Sequence, residues 1–425
     1  MTQFLGAFND NLYKTSVSVL VAYGLWDVGA WKPEILVSLA AGLFILPFIL
    51  FAPLAGQLAD KYAKDRLIRI IKMFEIGIVL GAALGLWLHS VPVLLVVLFA
   101  FGTHSAFFSP CKFSLLPQHL EGHELIAGNG LVNTGTYLAI LLGNIVGGLL
   151  AVSGVGLAVV YAVLLVCAVA GLAASFFIPL APAPAPGLLL NFNVAGEAFQ
   201  SIGFARGQGK GIFTAMLGSA WFFFVGAMVI SQLPNYTKQV LGADTVVLTF
   251  FMTVFSVGIS LGGLVNHRIL GGRPEARFVP WAALAMAVFS FDLVFASRIY
   301  HEMNFILGEY LIALPDFLSA GSGWRIVFDL FMMSVAAGLY IVPLKAIVQH
   351  RAPFDSLARI VAAGALLDSL FILASSVFAI FMLSSGFAIE HLFGALAVGS
   401  LGAAFYLPRL NALGVFNKIF RRQYE

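Results

Sequence analysis

Charge is the scarcest property of this 425-residue sequence. Asp, Glu, Lys and Arg together make up 10% of it, where a soluble domain carries roughly 25%. Apolar residues make up 60%, which leaves too few polar side chains to cover a water-facing surface. The net charge is only +3, and no Lys/Arg cluster is interleaved with stacking aromatics, which excludes a nucleic-acid binder. There are two cysteines, Cys111 and Cys167. Both lie in apolar stretches without CxxC spacing, so neither a disulfide framework nor a thiolate metal site is expected. The sequence also lacks a metal-ligand cluster, a nucleophile elbow and a His-Asp acyltransferase signature, so neither an enzyme nor a cofactor is expected. No basic lead-in with a small-residue cleavage site precedes Phe4, and the first apolar run reads as a retained helix.

What fills the chain is apolar runs of membrane-spanning length, about 20 residues each. Polar breaks separate twelve of them, at 4–24, 36–59, 68–88, 91–116, 126–152 and 155–179, then 212–240, 246–270, 278–298, 324–349, 358–384 and 387–408. Forty-three Gly and forty Phe suit closely packed membrane helices. Lys61, Lys64, Arg66, Arg69, Arg206, Lys210, Arg268, Arg273, Arg277, Arg351, Arg359, Lys418, Arg421 and Arg422 all fall on one side if the N-terminus is cytoplasmic. The other side receives Lys32, Arg298 and Arg325, with Lys238 near an end. The bias predicts both termini inside. A stiff Ala-Pro connector, "PLAPAPAPG", splits the runs into two sets of six. The predicted organisation is an N-terminal six-helix bundle at 1–180, a cytoplasmic linker at 181–210 carrying a short surface helix over 194–205, a C-terminal bundle at 211–410, and a cytoplasmic tail at 411–425.

Polar groups inside the apolar runs are the candidate functional residues, because an ionisable group in the membrane is costly unless it faces a partner or a cavity. In "FLGAFNDNLYKTSVSVL", helical spacing puts Asp10, Asn11, Lys14, Thr15 and Ser18 on one face. Asp10 and Lys14, four residues apart, have two readings: a salt bridge that fixes helix packing, or the lining of a water-filled cavity. In the cavity reading Asp10 suits an ethanolamine and Lys14 a phosphate. In "GTHSAFFSPCKFSLLPQ", Pro110 is expected to break the helix, and Lys112 is either a second phosphate candidate or a snorkelling base. His104 reads as a satisfied interior residue. Lys72 and Glu75, near the start of the third run, read as interfacial. Asp292, Asp329, Lys345 and Asp368 lie in the apolar runs of the second half, Asp368 deepest. "GNIVGG", with Gly143, Gly147 and Gly148, reads as a close-packing surface. Phenylalanine rows such as "WFFFVG" are either plain packing or the lining of an acyl-chain channel.

The loop "GQLADKYAKDRLIR" sets Gly56, Asp60, Lys61 and Arg66 at the end of the second run. A weaker echo, "GGLVNHRILGGRPEAR", follows the eighth, with Asn266 where an acid would stand. Such an echo is a mark of repeat-built transporters. The first loop resembles the signature loop of the major facilitator superfamily. "TQFLGAFNDN", "LFAPLAGQLADKYAK", "FFSPCKFSLLP" and "GNGLVNTGTYLAILLGNIVGG" are similar to its bacterial lysophospholipid transporter branch, and most similar to the form fused to a lysophospholipid acyltransferase and an acyl-ACP synthetase.

The resemblance implies an all-α fold of twelve transmembrane helices in two six-helix bundles, set in the bacterial inner membrane. It implies transport of lysophosphatidylethanolamine and lysophosphatidylglycerol from the outer to the inner leaflet for re-acylation. A cytoplasmic acyltransferase/acyl-ACP synthetase is then a candidate partner, and membrane lipids surround the chain. Asp10, Asn11, Lys112 and, more loosely, Asp368 match its substrate-binding positions. Gly56, Asp60, Lys61 and Arg66 match its conformational gate. Members of this branch carry an arginine mid-way along the seventh helix. Here that helix has none, and Lys14 is the candidate replacement. In "GNIVGG", Asn144 stands where proton-coupled drug antiporters carry proline. The alternative function is a proton-coupled exporter of drugs or small metabolites, with Asp10 or Asp368 carrying the proton.

Overall fold

The structure, a computed structural model, describes residues 1–22, 33–88, 90–152, 157–271, 275–304 and 311–408. Lys32, Arg273 and the proposed tail at 411–425, with Lys418, Arg421 and Arg422, lie outside the described residues, as do the last residues of the first predicted run.

The described residues are helical, with one isolated bridge between Ala243 and Ile312. In the first half the helices are α1 (Thr2–Ala22), α2 (Pro33–Lys61), α3 (Lys64–Trp87), α4 (Val91–His119), α5 (Leu125–Val152) and α6 (Leu157–Ser175). The connector carries α7 (Val194–Gly207). The second half holds α8 (Lys210–Asn235), α9 (Thr245–Leu270), α10 (Val279–Asn304), α11 (Leu314–Ser319), α12 (Gly321–Arg351), α13 (Leu357–Ser384) and α14 (Ile389–Tyr406).

Ten of these helices are long and apolar enough to cross a membrane: α2, α4, α5, α6, α8, α9, α10, α12, α13 and α14. The expected count was twelve. α1 and α3 are not among the ten, and both carry more polar residues than a typical span. α1 contains Asn9, Asp10, Asn11 and Lys14, and Lys64, Asp65, Arg66, Arg69, Lys72 and Glu75 crowd the first half of α3.

The chain divides into two compact units. The first comprises Met1–Leu120, Gly135–Gly207 and Arg351–Leu366. Its core joins Leu12, Tyr13 and Val17 of α1 to Val79 and Ala82 of α3, Leu98 and Phe101 of α4, and Leu164 of α6. Tyr13 is wholly buried and still satisfied: its hydroxyl donates to the Leu94 carbonyl at 3.0 Å, and its ring lies 5.0 Å from that of Phe101. Two of the "GNIVGG" glycines, Gly143 and Gly147, form the close-packing surface expected of that stretch. A Cβ at Gly143 or Gly147 would stand 2.6 Å from the carbonyl oxygen of Phe8 or Leu12, respectively, so α5 meets the backbone of α1 directly.

The second unit comprises Glu121–Thr134, Gln208–His350 and the chain from Leu367 onward. Here α10 packs along α14, and Tyr236, just beyond α8, shares a 2.6 Å hydrogen bond with Ser297. Asp244 caps α9 by accepting from the amides of Val246 and Val247 at 2.9 and 3.0 Å. Large apolar side chains such as Phe74, Val96, Val166, Ile380 and Phe405 stand exposed on the surfaces of the units. This is the arrangement expected where the surrounding solvent is hydrocarbon.

Candidate functional site

In the first unit α1 positions most of the polar groups, and they separate into two sets. Asn9 and Asp10 are turned toward α3 and α4. The Asn9 amide donates to Glu75 Oε1 and to the Leu164 carbonyl, both at 3.1 Å. Asp10 accepts from the Ser105 hydroxyl, and its Oδ1 atom is buried with no hydrogen-bond partner among the described residues. One turn on, Lys14 donates to Asn11 Oδ1 at 3.0 Å and lies 5.6 Å from the Phe44 ring. Thr15 donates to Asn144 of α5 at 2.7 Å. Among the described residues no ion pair joins Asp10 to Lys14, so the salt-bridge reading is corrected. Asn11 takes the lysine and Ser105 takes the carboxylate. Lys14 is half-buried, whereas Asp10 and Asn11 are buried.

Beneath Asp10 sits a charged cluster that sequence reading misplaced. Lys72 and Glu75 are not interfacial. Both are wholly buried, 2.6 Å apart, with His104 Nε2 at 3.6 Å from the same carboxylate. The error lies in the helix boundary. The apolar run begins at residue 68, but α3 begins at Lys64 and carries the pair two to three turns inside. His104 is buried as expected and stacks on Phe108, yet neither ring nitrogen has a hydrogen-bond partner among the described residues.

α4 runs unbroken through Pro110 and Pro117, which corrects the expected break. Ser114 donates to the Pro110 carbonyl at 2.6 Å. Two positions beyond Pro110, Lys112 donates to Gln3 Oε1 of α1 at 3.3 Å, and the same oxygen accepts from Thr136 of α5 at 2.8 Å. In the second unit, Asp368 of α13 accepts from Lys345 of α12 at 2.8 Å and from Ser219 of α8 at 3.0 Å. Asp292 is held by Arg325, with contacts at 3.0 and 2.5 Å.

The loop residues divide as well. Asp60 is fully buried and accepts from the amides of Ala358 and Arg359, at 2.9 and 3.1 Å, and from Arg359 Nε at 3.1 Å. It caps the N-terminus of α13, where a negative charge is favoured. Gly56 lets this happen: a Cβ there would stand 2.9 Å from the Ala358 carbonyl oxygen. Lys61 lies over the neighbouring Tyr62 ring, and Arg66 is exposed. The base that meets Asp60 is therefore Arg359, far along the sequence and visible from it only as a loop charge. The echo position, Asn266, donates to the carbonyls of Gly262 and Gly338, both at 3.1 Å.

Among the described residues, ten helices long and apolar enough to cross a membrane, several with charged groups at mid-helix, are the make-up of a multi-pass membrane protein. The model of the Major Facilitator Superfamily matches residues 2–374, and the chain belongs to that family. Curated relatives named lysophospholipid transporter LplT, from Salmonella newport and Salmonella typhimurium, are 28% identical over 356 residues. That match covers 83% of this chain and 78% of theirs. Among solved structures, the human organic anion transporter MFSD10 superposes with a TM-score of 0.73 at 17% identity, covering 96% of this chain and 98% of that one. The E. coli fucose:proton symporter gives 0.69 at 11% identity, covering 96% of each chain. At such identities these likenesses speak for the fold alone.

Proposed function

We infer that this protein carries lysophospholipids, lysophosphatidylethanolamine and lysophosphatidylglycerol among them, from the outer to the inner leaflet of a bacterial inner membrane. In this reading α1 and α3 also cross, giving twelve spans with both termini cytoplasmic. The observation that carries it is the division of polar groups on α1. Among the described residues, Asp10 keeps an oxygen without a hydrogen-bond partner, and Lys14 donates to a neutral amide beside the Phe44 ring. A carboxylate and an ammonium that have not neutralised each other suit a zwitterion, with Asp10 and Asn11 toward the ethanolamine and Lys14 and Lys112 toward the phosphate. The name borne by the relatives agrees with this chemistry. Gly56 and Asp60 form the gate: the bonds from Asp60 to the start of α13 must be released and remade if the chain is to rearrange. Lys61 and Arg66 would then serve by steering anionic lipid at the cytoplasmic surface. Re-acylation by a cytoplasmic acyltransferase would remove the product.

The test is uptake of labelled lysophosphatidylethanolamine by the purified protein in proteoliposomes. Uptake above protein-free vesicles supports the reading, and its absence overturns it. Lys14→Ala should lower kcat/KM about tenfold, as expected for loss of one charge-assisted hydrogen bond to phosphate. Unchanged uptake would remove Lys14 from the site.

A further inference from the structure

Lys345 is a charged residue of the second unit that the function so far leaves without a task. It stands two positions after Pro343 and about 10 Å from the C-terminal end of α12. Lys112 stands two positions after Pro110 and about as far from the end of α4. α4 and α12 are each the fourth long helix of their half, so Pro-x-Lys recurs at matching places in a chain that already shows a loop echo.

The surroundings match too. Lys112 donates to Gln3, on the first long helix of its half, and Gln3 is also bound by Thr136 of the fifth. Lys345 donates to Asp368, on the fifth long helix of its half, and Asp368 is also bound by Ser219 of the first. Each ammonium lies near a phenylalanine ring, Phe113 at 4.5 Å and Phe223 at 5.3 Å.

Lys345 and Asp368 differ from a purely structural buried pair. In the Lys72–Glu75 pair both side chains are 0% exposed, whereas the Lys345 side chain is 19% exposed and that of Asp368 is 8% exposed. The carboxylate keeps a donor in Ser219 if the ammonium turns away. We propose that Lys345 is an anion-binding residue that exchanges Asp368 for a phosphate oxyanion, as the second-half counterpart of Lys112. Asp368 is then a positioning residue that holds the ammonium ready and competes with the ligand for it. It does not itself contact the head group. The assignment rests on the proposed lysophospholipid reading for the source of the phosphate, but not for the anion chemistry itself.

Opposite signs make the test decisive. Binding of labelled lysophosphatidylethanolamine to the full-length protein in detergent is measured in one arm. Binding of glycerol 3-phosphate, which has no acyl chain, is measured in the other. Lys345→Gln should raise Kd about tenfold, Lys345→Arg should restore most of the loss, and Asp368→Asn should lower Kd by freeing the ammonium. Thermal melting checks that each variant is folded. A clamp that merely held the helices together would make Lys345→Gln and Asp368→Asn weaken binding alike, and that result overturns the proposal. Unchanged Kd in both arms for Lys345→Gln overturns it equally. Lysine dependence in the lipid arm assigns the phosphate to a lipid head group. Dependence in the soluble arm alone assigns it to a free phosphate ester. If the wild type binds no lysophospholipid, the proposed function fails while the soluble arm still judges Lys345.

Discussion

Lys72 and Glu75 show what a buried charge demands of its neighbours. Each is excluded from solvent, and the carboxylate accepts from Lys72 and from the Asn9 amide, with the His104 ring nearby. Removing one member of such a pair strands the other, at a cost of about 3–5 kcal/mol, whereas replacing both with apolar side chains of similar volume is often close to neutral. Lys72→Met or Glu75→Gln should therefore lower the melting temperature of the purified protein sharply, and Lys72→Met/Glu75→Met should recover most of the loss. The i, i+3 spacing of the pair was legible in the sequence. Its depth was not, because hydropathy ends a helix where charges begin, and α3 continues through them. The neighbouring Asp10 is a residue of a different kind, with Ser105 as its hydrogen-bond partner and one oxygen left over. Asp10→Asn keeps a hydrogen-bonding group for Ser105 and removes the charge. Its KM for lysophosphatidylethanolamine should rise about tenfold, with a smaller change for lysophosphatidylglycerol, whose head group has no ammonium. Uptake kinetics on the two lipids measure the difference.

Helices were the most legible feature, since runs of apolar residues between polar breaks carry most of the signal. The effect of Pro110 was not legible, since α4 accommodates Pro110 and Pro117 without stopping. Membrane helices tolerate proline when local side chains satisfy freed backbone groups. How helices approach one another was legible where glycines cluster. Gly143 has the Phe8 carbonyl oxygen 2.6 Å from the place a Cβ would take, whereas the nearest atom to a Cβ at Gly148 is Thr15 Cγ2 at 3.9 Å. Gly143→Val should thus force α5 away from α1 and abolish uptake, with a lower yield of folded protein. Gly148→Ala should be tolerated, and melting curves with uptake rates for the two variants compare them directly. Contacts distant in sequence were illegible. Nothing local to "GQLADKYAKDRLIR" announces that Asp60 caps α13 or that Arg359 is its partner, because the contact spans some three hundred positions.

At the scale of the whole molecule, the question is what drives transport. Moving a lysophospholipid between leaflets at equal chemical potential needs a path for its head group and no external energy source, and re-acylation of the product would then pull the flux inward. A proton-driven exporter needs a carboxylate free to load and unload a proton. Among the described residues, several acids in the long helices have a base beside them: Glu75 has Lys72, Asp60 has Arg359, Asp292 has Arg325 and Asp368 has Lys345. Asp10, bound by a hydroxyl, and Asp329, whose Oδ2 atom is buried without a hydrogen-bond partner among the described residues, are the places where a proton would ride if one did. Two measurements on the same proteoliposomes separate the cases. Collapsing the pH gradient with an uncoupler should leave the initial rate of lysophosphatidylethanolamine uptake within about twofold, a change worth no more than roughly 0.4 kcal/mol in activation energy. Asp10→Asn should slow uptake to the same degree with the gradient present or absent, because its loss removes a head-group contact and not a coupling step. Gradient-dependent uptake in the wild type that becomes gradient-independent in Asp10→Asn would make Asp10 a proton carrier and the protein a coupled transporter.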